Sequence, residues 1–163
     1  MLTLALALSV SDARADDAHT QAAGTEVGTS KTVGIGFLLG QPNLFTAKFW
    51  LDEQSAVSVA AGAYTNNLDR LLVRVQYGRT FYTIGDWDWG ILDLYWNVGA
   101  GTNLDLSGTV WQPGAGGGVS AMIRFKDAPA EVFVDNSIYL YPGLFSAAFE
   151  SGYVGGIGGR WYF

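Results

Sequence analysis

Tyr153-Val-Gly-Gly-Ile-Gly-Gly-Arg-Trp-Tyr-Phe163 is the stretch whose reading decides the fold. Successive side chains of an extended strand point to opposite faces. Ile157, Trp161 and Phe163 therefore share one face, and Gly156, Gly158 and Arg160 share the other. One face is apolar and stops on an aromatic ring. The opposite face is nearly bare except for one long cation.

The same period of two continues back to Lys31, with segments of about ten residues separated by Gly, Pro, Asn and Asp clusters. Eight strands are expected: Lys31–Leu39, Leu44–Leu51, Ala56–Tyr64, Leu71–Tyr82, Asp88–Gly101, Gly117–Phe125, Ala130–Tyr141 and Ser151–Phe163. The spacing predicts turns at Gly40–Asn43, Asp52–Ser55, Thr83–Trp87 and Lys126–Pro129, and loops at Thr65–Arg70 and through the Gly/Pro-rich stretch ending at Gly116. Pro142–Glu150 reads as loop or as a hairpin extension, because a tight turn at Pro142-Gly143 would pair arms of unequal length.

Ahead of the strands lies an apolar run from Met1 to Val10, too short to cross a bilayer as a helix. Ala13-Arg14-Ala15 suits signal-peptide cleavage, so residues 1–15 are expected to be a signal peptide. Its usual positive n-region is missing, as expected of a truncated start. Residues 16–31 read as a flexible polar lead-in, and 32–163 as one β-barrel domain.

Composition narrows the function classes. There is no cysteine, so neither disulfides nor thiolate chemistry are available. A formal net charge of −6 argues against a nucleic-acid partner, which needs clustered Lys and Arg. Hydrophobic residues make up 49% of the chain, yet no apolar stretch of membrane-helix length follows the leader. A core-packed soluble domain and a membrane barrel both remain compatible with that.

The two faces help to separate them. One carries Val33, Ile35, Phe37, Leu39, Phe45, Phe49, Val73, Val75, Leu92, Trp96, Val132 and Val134, with Asn136 as the main polar intruder. The other carries Lys48, Arg74, Asp93, Arg124, Glu131, Asp135 and Arg160 among many Gly, Ser and Ala residues. So few charges make a poor wetted surface but a good filling for a narrow lumen, where glycines leave room for long cations. Four cations and three anions nearly cancel, as buried charges must. The chain is therefore expected to be an all-β, eight-stranded antiparallel up-and-down transmembrane β-barrel of a Gram-negative outer membrane. Two aromatic levels would mark the interfaces: Phe49, Trp50, Phe81, Tyr82, Trp87, Trp89, Trp161 and Tyr162 at one, and Phe37, Phe45, Tyr64, Tyr139 and Tyr141 at the other. Arg79 falls on the lipid face near the lower interface, where it can snorkel, unless a bulge turns it inward. Ile157, Trp161 and Phe163 have the pattern read by the outer-membrane assembly machinery; the bland alternative is an ordinary last strand.

Several stretches also resemble a known family. Gly34-Ile-Gly-Phe-Leu-Leu-Gly-Gln-Pro42, Thr46-Ala-Lys-Phe-Trp-Leu51, Gln54-Ser-Ala-Val57, Phe125-Lys-Asp-Ala-Pro-Ala-Glu-Val-Phe-Val134 and Gly158-Gly-Arg-Trp-Tyr-Phe163 are similar to motifs of a family of small bacterial outer-membrane β-barrel proteins without an established activity. Lys48, Glu131 and Arg160 fall on its motif positions. Asn43-Leu44 departs from its Thr-Gly-like turn, and the final loop is longer. The resemblance implies the barrel and leaves the task open.

No catalytic constellation is expected. His19, the only histidine, sits in the lead-in, which removes Ser–His and Cys–His mechanisms. Asp93, Glu131 and Asp135 are the candidate acid–base carboxylates, against the plainer reading of salt bridges to Lys48, Arg74, Arg124 and Arg160. Asp86-Trp-Asp-Trp89 supplies too few carboxylates for a calcium cage. Gly114-Ala-Gly-Gly-Gly118 lacks the Lys-Ser/Thr of a phosphate loop. No metal and no cofactor are expected. Trp111, Leu144, Phe145 and Phe149 are candidate outer-loop contacts, for a partner or for the outer leaflet. Three functional readings stay in play. The first is a monomeric, non-enzymatic structural or surface-interaction barrel with a charge-plugged lumen, bearing on outer-membrane lipid. The second is a narrow, porin-like pore for small solutes. The third is a soluble exported lipocalin-like barrel that holds an apolar ligand.

Overall fold

The computed structural model describes residues 31–64, 67–106, 110–142 and 149–163. The expected signal peptide, the lead-in up to residue 30, and Leu144 and Phe145 lie outside the described residues, as does the side chain of Phe149.

Eight strands form one closed antiparallel barrel in chain order: β1 Val33–Gln41, β2 Asn43–Trp50, β3 Ser55–Tyr64, β4 Asn67–Trp87, β5 Gly90–Asp105, β6 Val110–Phe125, β7 Ala130–Pro142 and β8 Phe149–Tyr162. Closure is made by β1 and β8, with Gly34 opposite Tyr162, Gly36 opposite Arg160 and Gly40 opposite Gly156. The end carrying Val33 and Tyr162 is called the near rim below, and the opposite end the far rim.

β4 already begins at Asn67, so Asn67–Arg70, expected as loop, is strand. Two further differences from expectation have local causes. The Gly/Pro-rich stretch after Gly101 is strand rather than loop, since β5 and β6 stay paired as far as Asp105 and Val110. Pro113 lacks an N–H and reads as a strand breaker. It is tolerated because pairing between β6 and β7 begins only at Ala115, so Pro113 has a free edge on that side. Likewise β4 runs on to Trp87 through register shifts at Thr80/Tyr82 and Thr83/Gly85, and the turn itself is Asp88-Trp89. A bulge adds one residue and so swaps the two faces beyond it. That is how Thr83, odd-numbered, comes to face inward beneath the inward, even-numbered Arg74 and Gln76.

The short turns are closed by side chains, as turn-forming Asn and Asp do. Asn43 Oδ1 accepts from the Gly40 N–H at 3.0 Å. Asp52 Oδ1 accepts from the N–H groups of Gln54 at 2.8 Å and Ser55 at 2.7 Å. These bonds hold the Asp52 carboxyl below its usual range.

The faces are opposite in character. Outward-pointing Phe37, Leu39, Val75, Val98, Val134, Ile138, Ile157, Trp161 and Phe163 are all exposed. Arg79 is also exposed, and donates to Gln54 Oε1 at 2.9 Å. Inward-pointing Lys48, Arg74, Asp93, Arg124, Glu131 and Asp135 are buried. The inner face is more apolar than its sequence pattern suggested. Toward the far rim, Leu38, Leu44, Leu72 and Val154 pack with Tyr139 and Tyr141 into a buried cluster inside the barrel.

Candidate functional site

The inner face holds all seven charges, in three groups. In the first, Glu131 of β7 is the hub. Its Oε2 accepts from Lys48 Nζ at 3.2 Å and from the Tyr162 hydroxyl at 2.6 Å, while Oε1 accepts from Arg160. Arg160 also donates to Thr46 Oγ1 at 3.0 Å. In the second, Arg124 donates Nε to Asp93 at 3.0 Å, and Asp93 Oδ1 accepts from Thr83 at 2.6 Å. In the third, Arg74 pairs with Asp135, whose Oδ1 also accepts from Ser137 at 2.8 Å and Ser120 at 3.2 Å. Gln76 and Asn97 extend this last group through a 2.7 Å bond.

Two cations on one carboxylate leave the hub with an excess positive charge. Aromatic faces answer it, since a ring attracts a cation through its quadrupole. Lys48 Nζ lies 4.0 Å from the Trp50 ring centre and 4.8 Å from that of Tyr95. The Arg160 guanidinium lies 3.8 Å from the Phe133 ring.

Rings also account for three of the glycines, where room for long cations was expected. A Cβ on Gly34 would lie 2.6 Å from the Tyr162 ring, one on Gly78 would lie 2.4 Å from that of Tyr95, and one on Gly158 would lie 2.4 Å from that of Phe133. These three glycines make room for rings lying across the sheet, and two of the rings, Tyr95 and Phe133, in turn meet cations.

Trp50, Tyr162, Tyr139 and Tyr141, expected at the aromatic levels, instead turn toward the interior: Tyr162, Tyr139 and Tyr141 are buried, and Trp50 packs on the core cluster. Parity alone contained the signal for Tyr162 and Trp50, because each shares the even numbering of its neighbouring lumen cation, Arg160 or Lys48. Thr83 was hidden by the bulges.

The three carboxylates do not meet as an acid–base pair. Each of Asp93, Glu131 and Asp135 is occupied by a cation of its own. The space left among them is about 20 Å³, lined by Lys48, Gln76, Asn97, Met122 and Arg160 among others. That is room for about one water. Asp86 is engaged at the near rim by Lys126 at 2.5 Å, beside the stacked rings of Trp87 and Trp89.

Tyr162→Phe separates ring from hydroxyl. The ring still covers Gly34, while Glu131 loses a charge-assisted bond, so a loss of about 1.5–3 kcal/mol in unfolding free energy is expected. Urea unfolding in detergent micelles, followed by tryptophan fluorescence, reads it; an unchanged midpoint would remove Tyr162 from the hub.

Of the remaining candidates, Trp111 lies in β6, exposed near the far rim and opposite Leu104. Ile157, Trp161 and Phe163 point outward with 61%, 50% and 64% exposure. At the far rim the strand ends enclose a cleft of about 520 Å³, with a smaller recess of about 110 Å³ beneath Arg70 and Asp105. Comparison with protein-family models, with curated proteins and with solved structures returns no match for this chain.

Proposed function

We propose that the protein is a non-enzymatic outer-membrane β-barrel, a structural or surface-interaction protein whose lumen is shut by ion pairs and apolar side chains. The observation that carries this reading is the inverted distribution of polarity. Charges fill the inside while Leu39 (70% exposed), Phe37 (61%) and Ile157 (61%) stand outside. Water does not reward such an arrangement, but hydrocarbon does. The outward rings support it. Phe49, Phe81, Tyr82, Trp87, Trp89 and Trp161 crowd the near rim, Phe37 and Phe45 stand toward the far rim, and aliphatic residues lie between. In this reading the near rim faces the periplasm, the far rim faces outward, and the motifs shared with the small-barrel family describe the same scaffold.

A lipocalin-like barrel needs Lys48, Arg74 and Asp93 on the wetted outside, and they are inside at 0–2% exposure. A pore needs a continuous water path. The far-rim apolar cluster and the small residual space in the charge layer speak against one.

The folded protein is expected to need detergent and to change gel mobility on boiling. A monomer that stays soluble without detergent would falsify the membrane reading. In planar bilayers, neither the wild type nor Arg124→Ala is expected to give discrete conductance steps. Stepwise currents abolished by filling the lumen would reinstate the pore.

A further inference from the structure

The far-rim cleft of about 520 Å³ has the size of a small-molecule site. Its walls come from separate strands: Tyr64 of β3, Arg70 of β4, Asn103 of β5, Gln112 of β6, Tyr141 of β7 and Glu150 of β8. One of them, Tyr141, also belongs to the apolar cluster of Leu38, Leu44 and Leu72.

The lining selects a ligand class by elimination. One guanidinium and one carboxylate face the same space, so an anion meets Glu150 and a cation meets Arg70. Asp105 and Glu150 are too few carboxylates for a hard metal ion. An apolar ligand would strip water from the amides, the phenols and the two charges and return nothing to them. A ligand rich in hydroxyls fits every group. Each hydroxyl donates and accepts, so it answers Arg70, which only donates, Glu150, which only accepts, and the amides, which do both. The tyrosine rings add apolar surface for the C–H faces of a sugar.

One detail favours an open hydrogen-bonding site over a self-satisfied rim. The Gln112 amide reaches Glu150 Oε2 only at 3.4 Å, a long contact that a ligand hydroxyl can replace. Asn103, by contrast, is oriented: its Oδ1 accepts from the Tyr64 hydroxyl at 3.1 Å, which turns the amide NH2 away from Tyr64.

We propose that this cleft binds a small saccharide, a mono- or disaccharide unit, either free or as the sugar portion of a surface glycolipid. The inference goes beyond the outer-membrane reading and does not need it. A protein soluble without detergent would overturn that reading and leave the binding assay intact.

The test is saturation-transfer NMR on the full folded chain in an amine-oxide detergent, which carries no sugar headgroup. One arm uses maltose, lactose and N-acetylglucosamine. The other uses core oligosaccharide released from lipopolysaccharide by mild acid. Transfer to at least one probe is expected, weakened at least about fivefold in Asn103→Ala/Gln112→Ala, which removes two hydrogen-bonding groups. Glu150→Ala, a rim change away from the packed interior, is the second variant should the first not fold, and the same weakening is expected. Transfer in the first arm identifies a free sugar as ligand, and transfer in the second alone identifies a glycolipid headgroup. No transfer to any probe, or transfer undiminished in the folded variants, overturns the proposal.

Discussion

Glu131→Ala is expected to cost the folded barrel about 3–5 kcal/mol, the range for breaking a buried ion pair by removing one partner. Glu131 is 1% exposed and, among the described residues, is the only carboxylate paired with either Lys48 or Arg160. Without it, two buried cations lose their counter-charge at once, and the Tyr162 hydroxyl loses its acceptor. The rings beside Lys48 and Arg160 soften the loss but do not replace an anion. Asp86→Asn serves as the internal comparison. It pairs with Lys126, but the side chains are 45% and 35% exposed, so less than about 1 kcal/mol is at stake. Adding Lys48→Met to Glu131→Ala should recover part of the lost stability, because one of the stranded charges goes with it. Urea midpoints for the four proteins, wild type included, decide the matter. Equal small shifts for Glu131→Ala and Asp86→Asn would mean that the hub is not electrostatically critical.

Gly36→Val is expected to prevent closure. Gly36 lies on the seam, and a Cβ there would stand 1.8 Å from the Gly159 carbonyl oxygen and 2.7 Å from the Arg160 Cα. Both are backbone atoms, so no side chain can swing away. The seam must part, or β1 must slip by a residue and turn its apolar face inward. Overpacking of a tight interior costs about 1–3 kcal/mol even where side chains yield, and more where they cannot. The matched control is Gly159→Val on the paired strand. Its Cβ would meet nothing nearer than the Glu131 carbonyl oxygen at 3.6 Å, and its site is exposed on the outer face. Heat-modifiable migration should vanish in Gly36→Val and persist in Gly159→Val. Persistence in both would show that the seam has slack.

The contrast between those two glycines shows how far the sequence could be read. Period two placed Gly36 inside and Gly159 outside, and the same parity set Lys48, Glu131 and Arg160 on one surface. It also supplied the strand number, because a one-residue error in an alternating segment reverses every side chain and is easily seen. Three things escaped. Pro113 and its glycines look like loop because composition does not say which edge of a strand is unpaired. Thr83 looks misplaced because bulges are not announced by any residue type. Tyr139, Tyr141 and Tyr162 share the inward numbering of Glu131, Asp135 and Arg160, yet they read as interface aromatics because a phenol suits both a membrane surface and a dry interior with polar neighbours. The far-rim cleft was the least legible feature. Asn103 and Gln112 meet across one hairpin, but Glu150 faces Tyr64 and Arg70 across the same cleft only when the barrel closes.

The hub also has a consequence in time. Asp93 and Arg124 sit on neighbouring strands β5 and β6, so one hairpin can neutralise them early. Lys48 and Glu131 are 83 residues apart, on strands that are not neighbours, and Thr46 and Arg160 are 114 apart. Arg160 lies opposite Glu131 on the neighbouring strand β8 and can pair within one hairpin, but Lys48 of β2 does not find its anion until both ends of the chain have met. Such long-range pairings form late and slowly. An open sheet therefore carries a stranded Lys48 that the closed one does not, and half-assembled barrels are penalised accordingly. Glu131 acts as a checkpoint on completion: it makes assembly nearly all-or-none, and leaves an incomplete molecule little reason to persist.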